Sequence, residues 1–221
     1  MAYSPFMGLD IQDSKTYQSL LARGVRRTFK AGDIISLQDE LPSGVGYILS
    51  GRAKAISYSD KGDATWVGYF EARDFFGHMS LLTEQAVNFE ISAETEMEAI
   101  IIPIGAMRSL LSEDQELGRA LANDLAARLD YMTRRLVEAF TLSAKGRVCA
   151  ELARLSNIIG MEPEKSIIRP SPVFVELAQR VNSTRETVSR TVSELQKKGI
   201  VSREPGALVI DKPERLKAAI Q

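Results

Sequence analysis

The feature that most constrains this chain is a stretch of about 28 residues, from Ser112 to Phe140, with no proline and one glycine, Gly118, near its start. Apolar residues recur at Leu117, Leu121, Leu125, Leu129, Met132, Leu136 and Phe140. Steps of three or four lay these side chains along one stripe of an α-helix. Ser112, followed by Glu113 and Asp114, reads as an N-cap with acids at the positive end of the helix dipole. At 1.5 Å per residue the helix would reach about 40 Å, more than a small domain can cover. The stripe therefore predicts a dimer seam. An amphipathic helix lying on its own domain is the alternative.

The pattern differs on either side of this helix. From residue 24 to residue 103, β-branched and aromatic runs at 45–49, 53–58, 66–70 and 100–102 alternate with turns at Gly32-Asp33, Gly51 and Lys61-Gly62-Asp63. At least six such runs predict an antiparallel roll or barrel. After the long helix the elements shorten: a helix over 146–159, loops at Gly160-Met161-Glu162-Pro163 and Arg169-Pro170-Ser171-Pro172, helices over 173–181 and 185–198, and a hairpin turning at Glu204-Pro205-Gly206. The expected fold is α+β, with an antiparallel roll at 1–111, a dimerisation helix at 112–141 and a small helical domain with a hairpin at 142–221.

Charge separates along the same line. Residues 1–140 carry 14 Lys and Arg against 20 Asp and Glu, a net of −6; residues 141–221 carry 14 against 9, a net of +5. A basic last third in a chain of overall charge −1 suggests a domain that faces an anion. Its core is the segment VFVELAQRVNSTRETVSRTVSELQKKGIV. A first helix places Phe174, Leu177 and Ala178 on one side, and Thr184 caps a second. There Val188, Thr191, Val192 and Leu195 form the buried face, and Arg185, Glu186, Ser189 and Arg190 form the exposed one. That is the arrangement of a recognition helix whose first turns enter the major groove. Arginine can donate two hydrogen bonds to guanine, and glutamate can accept one from cytosine. Ser183, Thr184 and Thr187 are placed for phosphate oxygens beside the helix N-terminus.

With these markers, together with "GDIISLQDELPSGVGYILSGRAKA" and "DFFGHMSLL", nearly the whole chain resembles the Crp–Fnr family of bacterial transcription regulators. The resemblance implies a cyclic-nucleotide-binding-like β-roll, a long dimer helix and a C-terminal winged helix-turn-helix. It also implies a homodimer on double-stranded DNA that works with RNA polymerase. In the family, bases are read from the positions matching Arg185, Glu186, Ser189 and Arg190. Arg-Glu…Arg is similar to the catabolite-activator type and its TGTGA-like half-site. Glu…Ser-Arg is similar to the oxygen-sensor branch and its TTGAT-like half-site. Both patterns are present, so both sites stay open.

The sensor cassette departs from the family. The ribose-binding glutamate after Phe76-Gly77 is replaced by His78, followed by Met79, and the phosphate-binding Arg-Ser positions fall on Val87 and Asn88. Losing that arginine removes a charge-assisted contact of roughly 1.5–3 kcal/mol. From Asp74 to Met107 there is no Lys or Arg, against six acids: Asp74, Glu84, Glu90, Glu94, Glu96 and Glu98. Arginines of the long helix, such as Arg128 or Arg135, are left to reach a pocket. Met132-Thr133 matches in part the family's adenine-contacting Thr-Ser pair. Ordinary cyclic AMP binding is therefore not expected, and the effector is left unknown. His78 is the only histidine. A pocket or core histidine is expected in preference to a haem ligand, because the histidine of the carbon-monoxide-sensing branch aligns with Met79. Cys149 is expected in a packed core.

Several classes are excluded. One cysteine supports neither an internal disulfide nor an iron–sulfur cluster, and one histidine supports no multi-histidine metal site. There is no GxSxG or phosphate-binding glycine loop, so neither an enzyme nor a cofactor is expected. The longest apolar stretch, near Ala99 to Met107, is broken by Pro103, and MAYSPFMGLD has no signal-peptide pattern. A cytoplasmic protein without a membrane segment is expected. A ligand-sensing adaptor that binds a protein through its basic domain is the alternative from another class.

Overall fold

The computed structural model describes residues 14–156 and 164–221. The signal-peptide reading of the first ten residues, the end of the helix expected at 146–159 and the Gly160-Met161-Glu162-Pro163 loop lie outside them. The chain divides into two compact units, one running to Tyr131 and the other from Met132.

The first unit begins with helix α1 (Lys15–Arg23). Two four-stranded sheets follow, made from β1 (Val25–Phe29), β2 (Ile34–Ser36), β3 (Gly44–Ser50), β4 (Arg52–Tyr58), β5 (Ala64–Glu71), β6 (Phe75–Phe76), β7 (Glu90–Ala93) and β8 (Met97–Pro103), with the short helix α2 (His78–Thr83) between β6 and β7. Strand orders are β1-β8-β3-β6 and β2-β7-β4-β5, and every pairing is antiparallel. Strand β8 shows the logic. Met97 and Ala99 join Ala53, Ala55, Phe70 and Ile91 in the core between the sheets. Ile100 and Ile102 point the other way, into a second core with Val45, Tyr47 and Leu20. With both faces covered, β8 is almost continuously apolar, and the outward strand β1 is not. Gly46 is required on β3, because a Cβ there would lie 1.9 Å from the Phe76 ring.

Helix α3 (Ile104–Glu113) closes that second core, and α4 (Gln115–Thr141) starts after a break at Asp114. The expected cap at Ser112 is therefore wrong. The Ser112 hydroxyl donates back to the Ser109 carbonyl at 2.7 Å, inside α3. Asp114 Oδ1 instead accepts from the N–H groups of Glu116 and Leu117 at 2.9 and 3.2 Å, and its Oδ2 accepts from Thr16 at 2.6 Å. The predicted stripe also splits. Leu117 and Leu121 are buried in the core of their own unit and are not free for a seam. Leu125 and Met132 are half-buried. Leu129, Leu136 and Phe140 are exposed at 69%, 59% and 83%.

The second unit contains α5 (Ala144–Leu155), β9 (Ser166–Ile168), α6 (Phe174–Arg180), α7 (Arg185–Lys197), β10 (Val201–Glu204), β11 (Ala207–Ile210) and α8 (Pro213–Ala218). The strands form one antiparallel sheet in the order β10-β11-β9. Its core joins Val148, Cys149 and Leu152 of α5 to Leu177, Val188, Val192, Leu195, Leu208 and Leu216. Cys149 is fully buried, as expected, and burial pushes its thiol up to about 11.

Candidate DNA-reading surface and effector pocket

The candidate reading surface is built by local rules. Thr184 is extended (φ −95°, ψ 155°), and its side-chain oxygen accepts from the Thr187 N–H at 3.2 Å, which starts α7 at Arg185. Val188, Thr191, Val192 and Leu195 are buried, which fixes the rotation of the helix. Arg185, Glu186, Ser189 and Arg190 are left exposed on its first two turns. The Glu186 carboxyl is held below its usual range by its own backbone N–H, the Thr184 hydroxyl and Arg185, so it stands ionised as an acceptor. Thr184 and Thr187 hydroxyls lie 3.1 Å apart, and Ser183 is half-buried beside them. The β10–β11 hairpin turns through Gly206 at φ +69°, and Arg203 stacks over the Phe174 ring at 5.1 Å.

In the roll, Ser36, Pro42, Phe70, Gly77, His78, Met79, Val87, Phe89, Ile91 and Arg128 surround a cavity of about 20 Å³, enough for one water-sized sphere. Its walls are mostly apolar, and Arg128 supplies the one guanidinium. Arg128 Nε donates to Asp124 Oδ2 at 2.7 Å, its head group lies 4.4 Å over the Phe70 ring, and Nη2 is 3.6 Å from Asp74 Oδ2. His78 is buried, with Nε2 3.0 Å from Asp124 Oδ2. That approach is close enough for an ionic contact, although it lies off the line of a hydrogen bond, and His78 Nδ1 meets no acceptor. Burial pushes the Asp74 carboxyl up to about 7, against the pull of Arg128. Burial also opposes ionisation of Asp124, but His78 and Arg128 outweigh it and hold that carboxyl below its ordinary value.

Two family models match the chain: the cyclic nucleotide-binding domain over residues 26–114 and the Crp-like helix-turn-helix domain over residues 146–219. The cAMP-activated global transcriptional regulator Vfr of Pseudomonas aeruginosa is 25% identical over 205 residues, 89% of this chain and 94% of Vfr. The transcriptional regulator SdrP of Thermus thermophilus is 29% identical over 181 residues, 80% of this chain and 86% of SdrP. Among solved structures, the c-di-GMP responsive global regulator CLP of Xanthomonas campestris superposes with a TM-score of 0.76 at 26% identity, over 90% of this chain and 99% of CLP. The chain belongs to the Crp/Fnr family.

As a Crp/Fnr protein it is a DNA-binding transcription regulator, and its relatives are regulators rather than enzymes. Among the described residues no helix is long and apolar enough to cross a membrane. The residues expected at an effector pocket come together only in part. Gly77, His78, Met79 and Val87 line the cavity. Phe76 lies in the core between the sheets, and Asn88 is exposed. Met132 and Thr133 are not among the lining residues and fall in the other unit. Of the two arginines expected to reach a pocket, Arg128 lines it, whereas Arg135 pairs with Glu151 at 3.1 Å. Sequence reasoning missed Asp124 as the partner of both Arg128 and His78. Its i,i+4 spacing to Arg128 was the one available signal.

Proposed function

We propose that the chain is a homodimeric, sequence-specific regulator that reads a near-palindromic TGTGA- or TTGAT-like site and works with RNA polymerase in the cytoplasm. In this reading the roll (1–111) is the sensor, the segment containing α4 (112–141) joins two copies and the C-terminal unit (142–221) reads DNA. The observation that carries it is the exposed set Arg185, Glu186, Ser189 and Arg190, opposite a fully buried face of α7. Ser183, Thr184 and Thr187 then meet phosphates. The exposed Leu129 and Leu136 with the half-buried Leu125 and Met132 support the seam, which would set two recognition helices about 34 Å apart.

Ordinary cyclic AMP is not its effector in this reading. The phosphate-binding arginine position is Val87, and the walls of the cavity beside it are mostly apolar. A second reading, a different small effector in the roll, is favoured by the buried polar atoms that lack partners there, His78 Nδ1, Asp74 Oδ1 and Ser80 Oγ.

Fluorescence anisotropy of ligand-free protein on TGTGA, TTGAT and scrambled duplexes at two salt concentrations tests the proposal. Binding should be tight on one palindrome and fall steeply with salt as counterions are released. Arg185→Ala should cost about 1–3 kcal/mol on that site and relax discrimination at one base pair. Added cyclic AMP should change nothing. Equal weak binding to all three duplexes, with little salt dependence, would favour the protein-binding adaptor. A large gain with cyclic AMP would overturn the effector assignment.

A further inference from the structure

The C-terminal unit buries a carboxylate that DNA reading does not use directly. Glu151, on α5, has a side chain only 3% exposed. A carboxylate so far from water is retained only where cations and hydrogen bonds replace its hydration. Three guanidiniums from three helices do so. Arg154 Nε of α5 donates to Oε2 at 2.9 Å, Arg135 Nη1 of α4 donates to Oε2 at 3.1 Å, and Arg180 Nη1 of α6 donates to Oε1 at 3.3 Å. Arg154 also grips Glu138 of α4 through two bonds of 2.7 and 2.9 Å. Arg135 reaches past Glu151 to the Arg180 carbonyl. Behind the turn that leads into α7, Arg147 donates to the carbonyls of Val181 and Asn182 at 2.8 and 3.1 Å, and to that of Leu142 at 3.0 Å.

We infer that Glu151 is a positioning residue for DNA reading: it locks α6, the first helix of the helix-turn-helix, to the C-terminal turns of α4. The bonds have direction as well as strength. A carboxylate shared by three forked guanidiniums has one arrangement in which all of them are satisfied. With that arrangement the turn through Asn182, at φ +46°, sets α7 at one angle to the end of α4. If α4 joins two copies, this angle sets how the two recognition helices are held against successive major grooves. Glu151 touches no base. It acts through the orientation of Arg185, Glu186, Ser189 and Arg190.

The inference rests on the two-headed reading proposed above, and the test separates the two. Full-length protein is assayed on its best palindrome, on the same duplex with one base pair added between the half-sites, and on a single half-site. Wild type should prefer the native spacing by roughly tenfold or more. Glu151→Gln keeps the shape and removes the charge; its spacing preference should fall to roughly threefold or less while half-site binding is unchanged. A purely structural role would lower all three affinities by one common factor and leave the ratio intact. Arg135→Gln leaves two of the three cations on Glu151 and should shift the ratio in the same direction by less. It decides the matter if Glu151→Gln does not fold. A wild-type spacing ratio in the folded variants overturns the role of Glu151. Absence of any palindrome preference in wild type overturns the two-headed reading, and the inference with it.

Discussion

The two units solve the same problem, buried charge, in opposite ways. In the C-terminal unit, Glu138 and Glu151 face Arg135, Arg154 and Arg180, so cations outnumber carboxylates and Glu151 is held below its ordinary range even though burial opposes its ionisation. In the roll, Asp74 and Asp124 share Arg128. Asp124 takes the short bond, and Asp74, one oxygen of which meets no donor, is pushed up to about 7. A satisfied cluster rigidifies its surroundings, whereas an under-satisfied one titrates or rearranges. The difference matches the roles proposed here: a reading head that must hold one geometry, and a sensor that must have more than one state available.

The largest test of the comparison is Arg154→Ala. It removes the double bond to Glu138 and one of the three cations on Glu151, breaking a largely buried charge network at the residue that joins the two carboxylates. The expected loss is about 3–5 kcal/mol of stability in the C-terminal unit. Trp66, the only tryptophan, lies in the roll on β5. Its fluorescence therefore follows the roll, and far-ultraviolet helix signal follows both units. The helix signal should show an early thermal transition, with the Trp66 transition unmoved. A single shifted transition in both signals would mean that the two clusters are not independent.

Next in size is the pH dependence of the roll. Asp74 has a folded value of about 7 against 3.8 for the free group. Between those values the folded protein holds a proton that the unfolded chain has lost, so stability falls as pH rises. The Trp66 transition should report a roll more stable at pH 5 than at pH 8 by about 2–3 kcal/mol. Asp74→Asn keeps a carbonyl oxygen for the Glu71 N–H, now at 2.8 Å, and removes the titration. The variant should lose the slope. An unchanged slope would place the titrating group elsewhere, with Glu71 and Asp124 the nearest carboxylates.

How far these features could be read from sequence follows from the range of the interactions. The reading head was legible because its signals are local: the Thr184 cap, the spacing of Val188, Val192 and Leu195, and the Gly206 turn all lie within a few residues of what they control. Helices α6 and α7 and the hairpin fall within a residue or two of expectation. The roll was legible as glycine-punctuated strands, but β1, four of whose five residues are exposed, gave no apolar pattern. Strand β9 lies between the two expected loops and carries no signal of its own, because three residues become a strand only by pairing with β11, some forty positions on. The Ser112 error has the same origin. Ser112 and Asp114 are both acceptable caps, and Thr16, 98 residues away, decides between them. Of the stripe, periodicity gave the face but not its partner, which is the unit's own core for Leu117 and Leu121. The Glu151 cluster joins residues 16 and 29 positions apart, beyond any helical period.

The smallest effect is expected at Arg128→Lys, and it asks what kind of cation the roll cluster needs. Lysine keeps the positive charge between Asp124 and Asp74. It loses the flat guanidinium that stacks 4.4 Å over Phe70 while donating to Asp124 at 2.7 Å. Because the charge survives, the loss should be that of stacking and fork geometry, about 1 kcal/mol in the Trp66 transition. The fall in stability with rising pH should remain, since the burial that raises Asp74 is unchanged and an ammonium still opposes it. A loss as large as that of Arg154→Ala would show that the roll cluster depends on fixed geometry as strictly as the head does. The contrast between a titratable sensor and a locked reading head would then fail at the residue that joins Asp74 to α4.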